Sequence, residues 1–327
     1  MNELMLLRIV RKIIIGHFDW TLEELQFQEN NPQEVEIALE EVKRKCGLQR
    51  IVDDLAVIPT RTTFIERRVM EDSLGRIRRF IATPNAVAMA LYADTNVDGW
   101  FAIAIFENSS IDIAILRIGD GVFDVCATRW MDSSENITAI CHTMLHDVGV
   151  YFIGSFWAVA DKDADFFDVE ELEKVFDCKA QRLLSLSELC VLGCQVQKGI
   201  LNGTITDHLL LDVISNSIYI EYAGNTVLLL DRDITIPVKK EVMFEIDGNS
   251  SVVNLLVRQG NARNMQSNPI IALLSLAGLP LTSNGRQLEI TIEIGLGECC
   301  IKVEDVLSGI EDIREIFWDY RHYKPLL

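Results

Sequence analysis

The spacing of apolar and polar residues changes character twice along the 327-residue chain. Residues 32–46 carry Val35, Ile37, Ala38 and Val42 at helical spacing, which predicts a helix. Leu55 to Ile58 is a short apolar run ended by Pro59 and reads as a strand. A second helix is predicted from about Thr63 to Arg79. The segment after Pro84, Ala86 to Tyr92, is alanine-rich and proline-initiated, which suits a buried helix.

The period then shortens. Trp100 to Phe106, Ile111 to Ile118 and Val122 to Thr128 are three β-rich runs. Gly119-Asp120-Gly121 joins the last two as a hairpin turn, so a three-stranded meander is predicted. Residues 132–147 read as a helix capped by Asp132, Ser133 or Ser134. Val150 to Ile153 reads as a buried strand closed by Gly154-Ser155. Residues 161–175 are acidic and read as a solvated loop entering a helix, and Ser187 to Leu201 as a further helix ending at Asn202-Gly203.

After residue 207 the pattern is nearly all β. Short alternating runs recur between turn signals at Gly224-Asn225, Asp247-Gly248-Asn249, Gly260-Asn261, Ser283-Asn284-Gly285 and Gly295-Leu296-Gly297. That rhythm predicts a β-sandwich. The pattern alone therefore gives an α/β region to about residue 206 and an all-β region beyond it.

Composition narrows the function classes. With 49% hydrophobic and 24% charged residues the chain is globular, and 19 Gly and 7 Pro exclude a collagen-like sequence. A formal charge of −19 argues against a nucleic-acid partner and leaves no basic footprint for a membrane surface. No apolar stretch reaches the ~18 residues of a spanning helix. Met1 to Phe18 is apolar, but Arg8, Arg11 and Lys12 interrupt it and it lacks the order of a signal peptide, so a cytoplasmic address is expected. None of the eight cysteines forms a CxxC pair, and Cys190 and Cys194 share a helix face as core residues would. Cys141, His142 and His146 fall in one helix without a fourth ligand, so no metal is expected.

The segment His208-Leu209-Leu210-Leu211-Asp212-Val213 joins the two halves. It resembles the inter-domain linker of the seventy-kilodalton heat-shock chaperones, the DnaK and HscA type. Upstream, Leu192 to Gly203 looks like that family's last nucleotide-domain helix. Downstream, Ile234-Thr235-Ile236-Pro237 and Val257-Arg258-Gln259-Gly260 look like landmarks of its β-sandwich peptide-binding domain. Arg79 to Ala88 resembles the helix that begins Glu-Pro-Thr-Ala-Ala, and Ile111 to Leu116 with Gly121 to Thr128 resembles its strand meander, the latter closer to the HscA branch, which serves iron–sulfur cluster assembly. The resemblance covers roughly 32–130 and 148–316.

The resemblance implies a fold of class α/β + β. A reduced actin-like (ribonuclease H-like) nucleotide-binding remnant over 1–206 would be followed by a linker at 207–213 and a β-sandwich peptide-binding domain over 214–327, with no helical lid. It also implies an ATP and magnesium site, and there the chain departs from the family. The first phosphate loop has no counterpart, and the opening strands would be missing with it, leaving an uncovered sheet edge. In the second, the glycine triplet is Glu107-Asn108-Ser109, followed by Ser110 where the family has threonine. Glu107 would set a like charge beside a triphosphate. Thr83 replaces the glutamate that holds the metal-bound water, and the adenine-site signature has become Gly154-Ser155-Phe156-Trp157. A subdomain that walls the family's cleft is reduced to a bridge between about 130 and 148. Asp112 matches a family catalytic aspartate, and Pro59 and Arg67 match its proline–arginine relay pair. No catalytic residue and no cofactor are expected, because one aspartate without phosphate loops cannot run phosphoryl transfer.

The peptide-binding half matches better. Ile220 corresponds to a pocket wall, Val253 and Leu255 to the pocket floor, Phe244 to an aromatic wall, and Tyr222 and Ala223 to the arch. The linker residues are Leu209, Leu210, Leu211 and Asp212. The expected function is that of a chaperone-like protein binding extended apolar peptide of client proteins without ATP hydrolysis, with an iron–sulfur scaffold protein as a candidate partner. Two alternatives stand beside it: an ATP-dependent chaperone with an unconventional site, and an interaction paralogue whose incomplete nucleotide lobe docks on a partner.

Overall fold

A computed structural model describes residues 4–9, 12–17, 22–26, 51–68, 75–95, 97–107, 109–132, 134–160, 166–262 and 264–317. The helix expected over 32–46 lies outside them. The chain divides into two compact units, Met1–Thr62 with Ser73–Ser215, and Thr63–Asp72 with Asn216–Leu327.

The first unit holds two sheets. One runs in the order β3-β2-β1-β4-β5, from β1 (Leu4–Ile9), β2 (Lys12–His17), β3 (Leu22–Gln26), β4 (Ile51–Ile58) and β5 (Gly75–Ala82). Strands β1 to β3 are antiparallel, and β4 and β5 join in parallel. The opening strands expected to be missing are thus present, and β4 is flanked on its β1 side. Two six-residue runs, LMLLRI and KIIIGH, stand close enough to form a hairpin, and three successive isoleucines favour extended backbone.

The second sheet runs β10-β9-β6-β7-β8-β11. The meander β6 (Gly99–Glu107), β7 (Ser110–Gly119) and β8 (Val122–Asp132) forms where the alternation places it. Gly119 pairs with Val122 across a two-residue turn in which Asp120 and Gly121 have φ of 50° and 75°, the twist a tight hairpin needs. β9 (Ser155–Ala160) joins β6, β10 (Ala180–Leu183) joins β9, and β11 (Leu209–Leu211) joins β8, all in parallel. Read from the meander outward, β8-β7-β6-β9-β10 repeats the order and strand directions of the first sheet.

Helices cover both faces of this sheet. α1 (Thr83–Thr95) and α4 (Leu186–Asn202) pack with Leu55, Val57, Phe101, Ile103, Leu116 and Trp157. α2 (Ile137–Val148) and α3 (Val169–Phe176) pack with Ala102, Phe106, Ile113, Ile115 and Phe156. Double coverage is why β6 and β7 read as continuous apolar runs. α1 and α4 meet so closely that a Cβ on Gly193 would lie 1.9 Å from the Ala86 carbonyl oxygen. Cys190 and Cys194 are buried on the same face of α4, as core packing predicts.

Three further expectations are corrected. The helix predicted from Thr63 to Arg79 is a short turn over 64–68, and β5 occupies its second half. Thr63 and Glu66 form a capping box that starts the turn, with Thr63 N–H donating to the Glu66 carboxylate at 2.6 Å. Gly75 and parallel pairing to β4 then override helical spacing. Second, Val150 to Ile153 is irregular. Val150 and Ile153 are buried, but Tyr151 is 94% exposed, and the strand starts at Ser155. The run after Gly154 is the one in register with β6, and Gly154 N–H fixes the entry by donating to the Trp100 carbonyl at 2.8 Å. Third, the cap of α2 is Asn136, whose Oδ1 accepts from Ala139 N–H at 2.9 Å, rather than Asp132, Ser133 or Ser134.

The second unit is a sandwich of two four-stranded antiparallel sheets. One is β13-β12-β15-β16, from β12 (Ile218–Tyr222), β13 (Asn225–Leu230), β15 (Val252–Gln259) and β16 (Ile270–Ala277). The other is β14-β17-β18-β19, from β14 (Val238–Ile246), β17 (Arg286–Ile294), β18 (Glu298–Asp305) and β19 (Glu311–Phe317). Burial alternates along β15, β17 and β18, so one face of each sheet forms the core. At one end, Arg286 and Asp305 form a fully buried ion pair at 2.9 Å. Arg286 also donates to the Pro280 carbonyl, and Asp305 accepts from the Ser308 amide and hydroxyl, so the pair ties two loops together.

Candidate functional site

The residues expected on the nucleotide side fall at the ends of β4, β6 and β7. Asp112, on β7, is buried, and both its oxygens face the turn after β4: Oδ2 accepts from Thr60 N–H at 2.9 Å and Oδ1 from the Thr60 hydroxyl. Pro59 is buried in that turn, its carbonyl accepting from Thr62 N–H at 3.1 Å. Across the sheet, Asp112 is in register with Trp130, over whose ring Arg61 lies at 4.9 Å. The Glu107–Ser110 segment is a tight hairpin closed by the Glu107–Ser110 pair, with the Ser110 hydroxyl donating to the Glu107 carbonyl at 3.0 Å. Ser109 is exposed at its tip, and Asn108 lies outside the described residues. Thr83 opens α1, its hydroxyl donating to the Ile58 carbonyl at 3.1 Å. Gly154 precedes β9 and Ser155 is its first residue, so the pair opens a strand rather than following one. Arg67 belongs to the second unit, its guanidinium 5.7 Å from the Phe64 ring.

No described group of three or more His, Cys, Asp or Glu side chains is placed to hold a metal ion. Cys141 and His146 illustrate why spacing misleads: Cys141 is fully buried, its thiol pushed up to about 12 by burial, while the His146 side chain is 86% exposed.

The linker segment forms an edge strand. Leu209, Leu210 and Leu211 pair with Val122, Phe123 and Asp124, and Leu209 N–H donates to the Gly121 carbonyl at 3.0 Å. Leu210 is buried and Leu209 is half exposed. A Cβ on Gly121 would lie 2.0 Å from the Asp207 carbonyl oxygen, so glycine is required for this approach. Asp212 accepts from Asn85 Nδ2 at 2.9 Å and from Val213 N–H. Burial lowers the proton affinity of the Arg79 guanidinium, and the Asp212 carboxylate counters part of that. Asn85 and Arg79 are therefore part of the linker's seat. Both stand in the Arg79–Ala88 stretch, yet only the fold brings Asp212 to them.

In the sandwich, Ile220, Val253 and Leu255 share the buried face of one sheet. Ile220 lies opposite Val257, Val253 opposite Leu276, and Leu255 opposite Leu274. Phe244, from the other sheet, is 9% exposed and meets half-buried Tyr222 edge to face at 6.5 Å. Ala223 and Gly224 turn β12 into β13 with φ of 50° and 82°. The apolar column is therefore closed beneath, and the Tyr222–Phe244 pair edges it. On the same sheet, Arg258 Nε donates to the Glu221 carboxylate at 2.5 Å, and Arg258 Nη1 donates to the Asn268 carbonyl at 2.8 Å. Gly260 has φ of 156°, and a Cβ there would lie 2.3 Å from Asn268 Oδ1. The Val257–Gly260 landmark thus has a backbone reason for its last residue.

Comparison with known proteins locates a relationship that begins at α3 of the first unit and runs through most of the sandwich. Residues 169–312 match the family model described as Hsp70 protein. The chain is also similar to a chaperone protein dnaK of Trieres chinensis, 33% identical over 144 residues. That match covers 43% of this chain and 24% of the relative's length.

Proposed function

We propose that the chain is a partial Hsp70 family member that binds extended apolar segments of client polypeptides through its sandwich and hydrolyses no ATP. The observation that carries the reading is the Tyr222–Phe244 pair at the edge of the Ile220, Val253 and Leu255 column, all within the family-matching segment. Aromatic edges and apolar inner positions suit a peptide held by backbone hydrogen bonds with one apolar side chain inserted. Burying one such side chain contributes about 1.5–3 kcal/mol.

The two sheets of repeated order favour reading the first unit as a reduced actin-like nucleotide-binding remnant. Its chemistry has been redirected. Both oxygens of Asp112 accept from Thr60, and the Ser110 hydroxyl donates to the Glu107 carbonyl where the family has its phosphate-cradling glycines. Asp112 here joins β7 to the turn after β4.

Two measurements test the reading. A fluorescent leucine-rich peptide should bind the full chain saturably, and Val253→Phe, verified as folded by its far-UV spectrum, should weaken binding at least ten-fold. Incubation with ATP and magnesium should give no turnover. Turnover that Asp112→Asn abolishes, or equal peptide binding by wild type and Val253→Phe, would contradict the proposal.

A further inference from the structure

The sandwich treats its sheet edges unequally. Along β16, Leu273 C=O accepts from Arg314 Nε at 2.9 Å and Ser275 N–H donates to Asp312 at 2.7 Å, so side chains from β19 occupy that edge. β14 carries exposed Lys239, Lys240 and Glu241. Both are ordinary defences against pairing with another chain. β13 has neither. Its sequence, NTVLLL, lacks charge and proline.

The register identifies which of its backbone groups are unmet. Tyr222 and Asn225 close the two-residue turn, so hydrogen-bonded pairs alternate from there. Ile220 and Val227 form the next bonded pair. Thr226 and Leu228, opposite Glu221 and Tyr219, direct N–H and C=O away from β12. Among the described residues no hydrogen bond reaches those outward groups. Leu228 is 40% exposed, and the ladder continues past an irregularity to the Ile218–Leu230 pair, with Leu229 and Leu230 buried as an anchor.

We infer that the outer edge of β13 is a strand-addition site for an extended polypeptide. The geometry selects the occupant. Alternating donors and acceptors at Thr226 and Leu228, about 6.8 Å apart along the strand, are met together only by another extended backbone. The added residue opposite Val227 would continue the Val257–Ile220–Val227 row, so it is apolar. The inference rests on the peptide-binding reading for the supply of such a segment. It goes further by placing main-chain recognition on the outer edge of β13, where Val227 is the neighbouring side chain in the row, apart from the Ile220, Val253 and Leu255 column one and two strands inward.

Amide hydrogen exchange on the full chain with saturating leucine-rich peptide tests it. Exchange at Thr226 and Leu228 should slow at least ten-fold. Thr226→Pro removes an outward donor without a ladder bond, and should weaken the peptide at least ten-fold while the sandwich's thermal unfolding persists. Unchanged exchange at both amides, with peptide still bound and still sensitive to Val253→Phe, would overturn the β13 site and leave the groove reading intact. Failure of wild type to bind any peptide would overturn both. Protection without peptide that rises with protein concentration would replace the client with a second copy and equally overturn the inference.

Discussion

The six-stranded sheet and the sandwich are both apolar, but they bury their residues differently. In the first, Phe101 to Phe106 are all buried, because α1 and α4 cover one face and α2 and α3 the other. In the second, burial along β15 alternates residue by residue. A sheet covered on both faces leaves its polar side chains to be satisfied internally, as Asp112 is by Thr60. A sheet covered on one face keeps an aromatic edge and an open strand edge within reach of solvent. Under the proposed function, recognition falls to the second region and not to the first.

Breaking the buried ion pair has the largest expected effect. Arg286→Ala leaves Asp305 buried and unpaired, and should cost the sandwich about 3–5 kcal/mol in denaturant unfolding. Burial alone would raise the Asp305 carboxyl, but the Ser308 hydroxyl and Arg286 outweigh it and hold it below the usual carboxylate range. The pair's contribution is therefore complete above about pH 3.9, the ordinary value for an unfolded Asp. It is lost as pH falls through the folded value. The variant should show a shallower acid dependence of stability than wild type, and an unchanged slope would remove Asp305 from this role.

A smaller effect is expected in the other region. Gly193→Ala forces α1 and α4 apart where the Ala86 carbonyl lies in the path of the new Cβ. It should cost about 1–3 kcal/mol. Peptide affinity should not change, since Gly193 belongs to the first unit. A parallel loss of peptide affinity would break the division of labour drawn here.

Much of this organisation is legible in the sequence, and the failures have physical causes. The meander, α1, α4 and the all-β second half follow from period and turn residues, because those elements are long or bounded by glycine turns. β5 is not legible from local pattern: its run GRIRRFIA becomes a strand through parallel pairing with β4, a non-local interaction. β9 is displaced from its expected place because Val150, Ile153 and the following FWAVA are all apolar, and only pairing with β6 selects among them. The β1–β3 meander is masked by the charges that interrupt it. Among candidate site residues, Ile220, Val253 and Leu255 share a buried face, where alternation sets them, while the seat of Asp212 on Asn85 depends on residues 127 positions apart. The charges of β14 mark it as an edge in the sequence, but β13 and β16 read alike until the side chains of Arg314 and Asp312 are placed.

The most direct test of the central claim is the affinity of the full chain for a labelled leucine-rich peptide, titrated by anisotropy with and without ATP and magnesium. The account predicts saturable binding with the same dissociation constant in both conditions. Binding that ATP weakens or abolishes, or no binding in either, would contradict it.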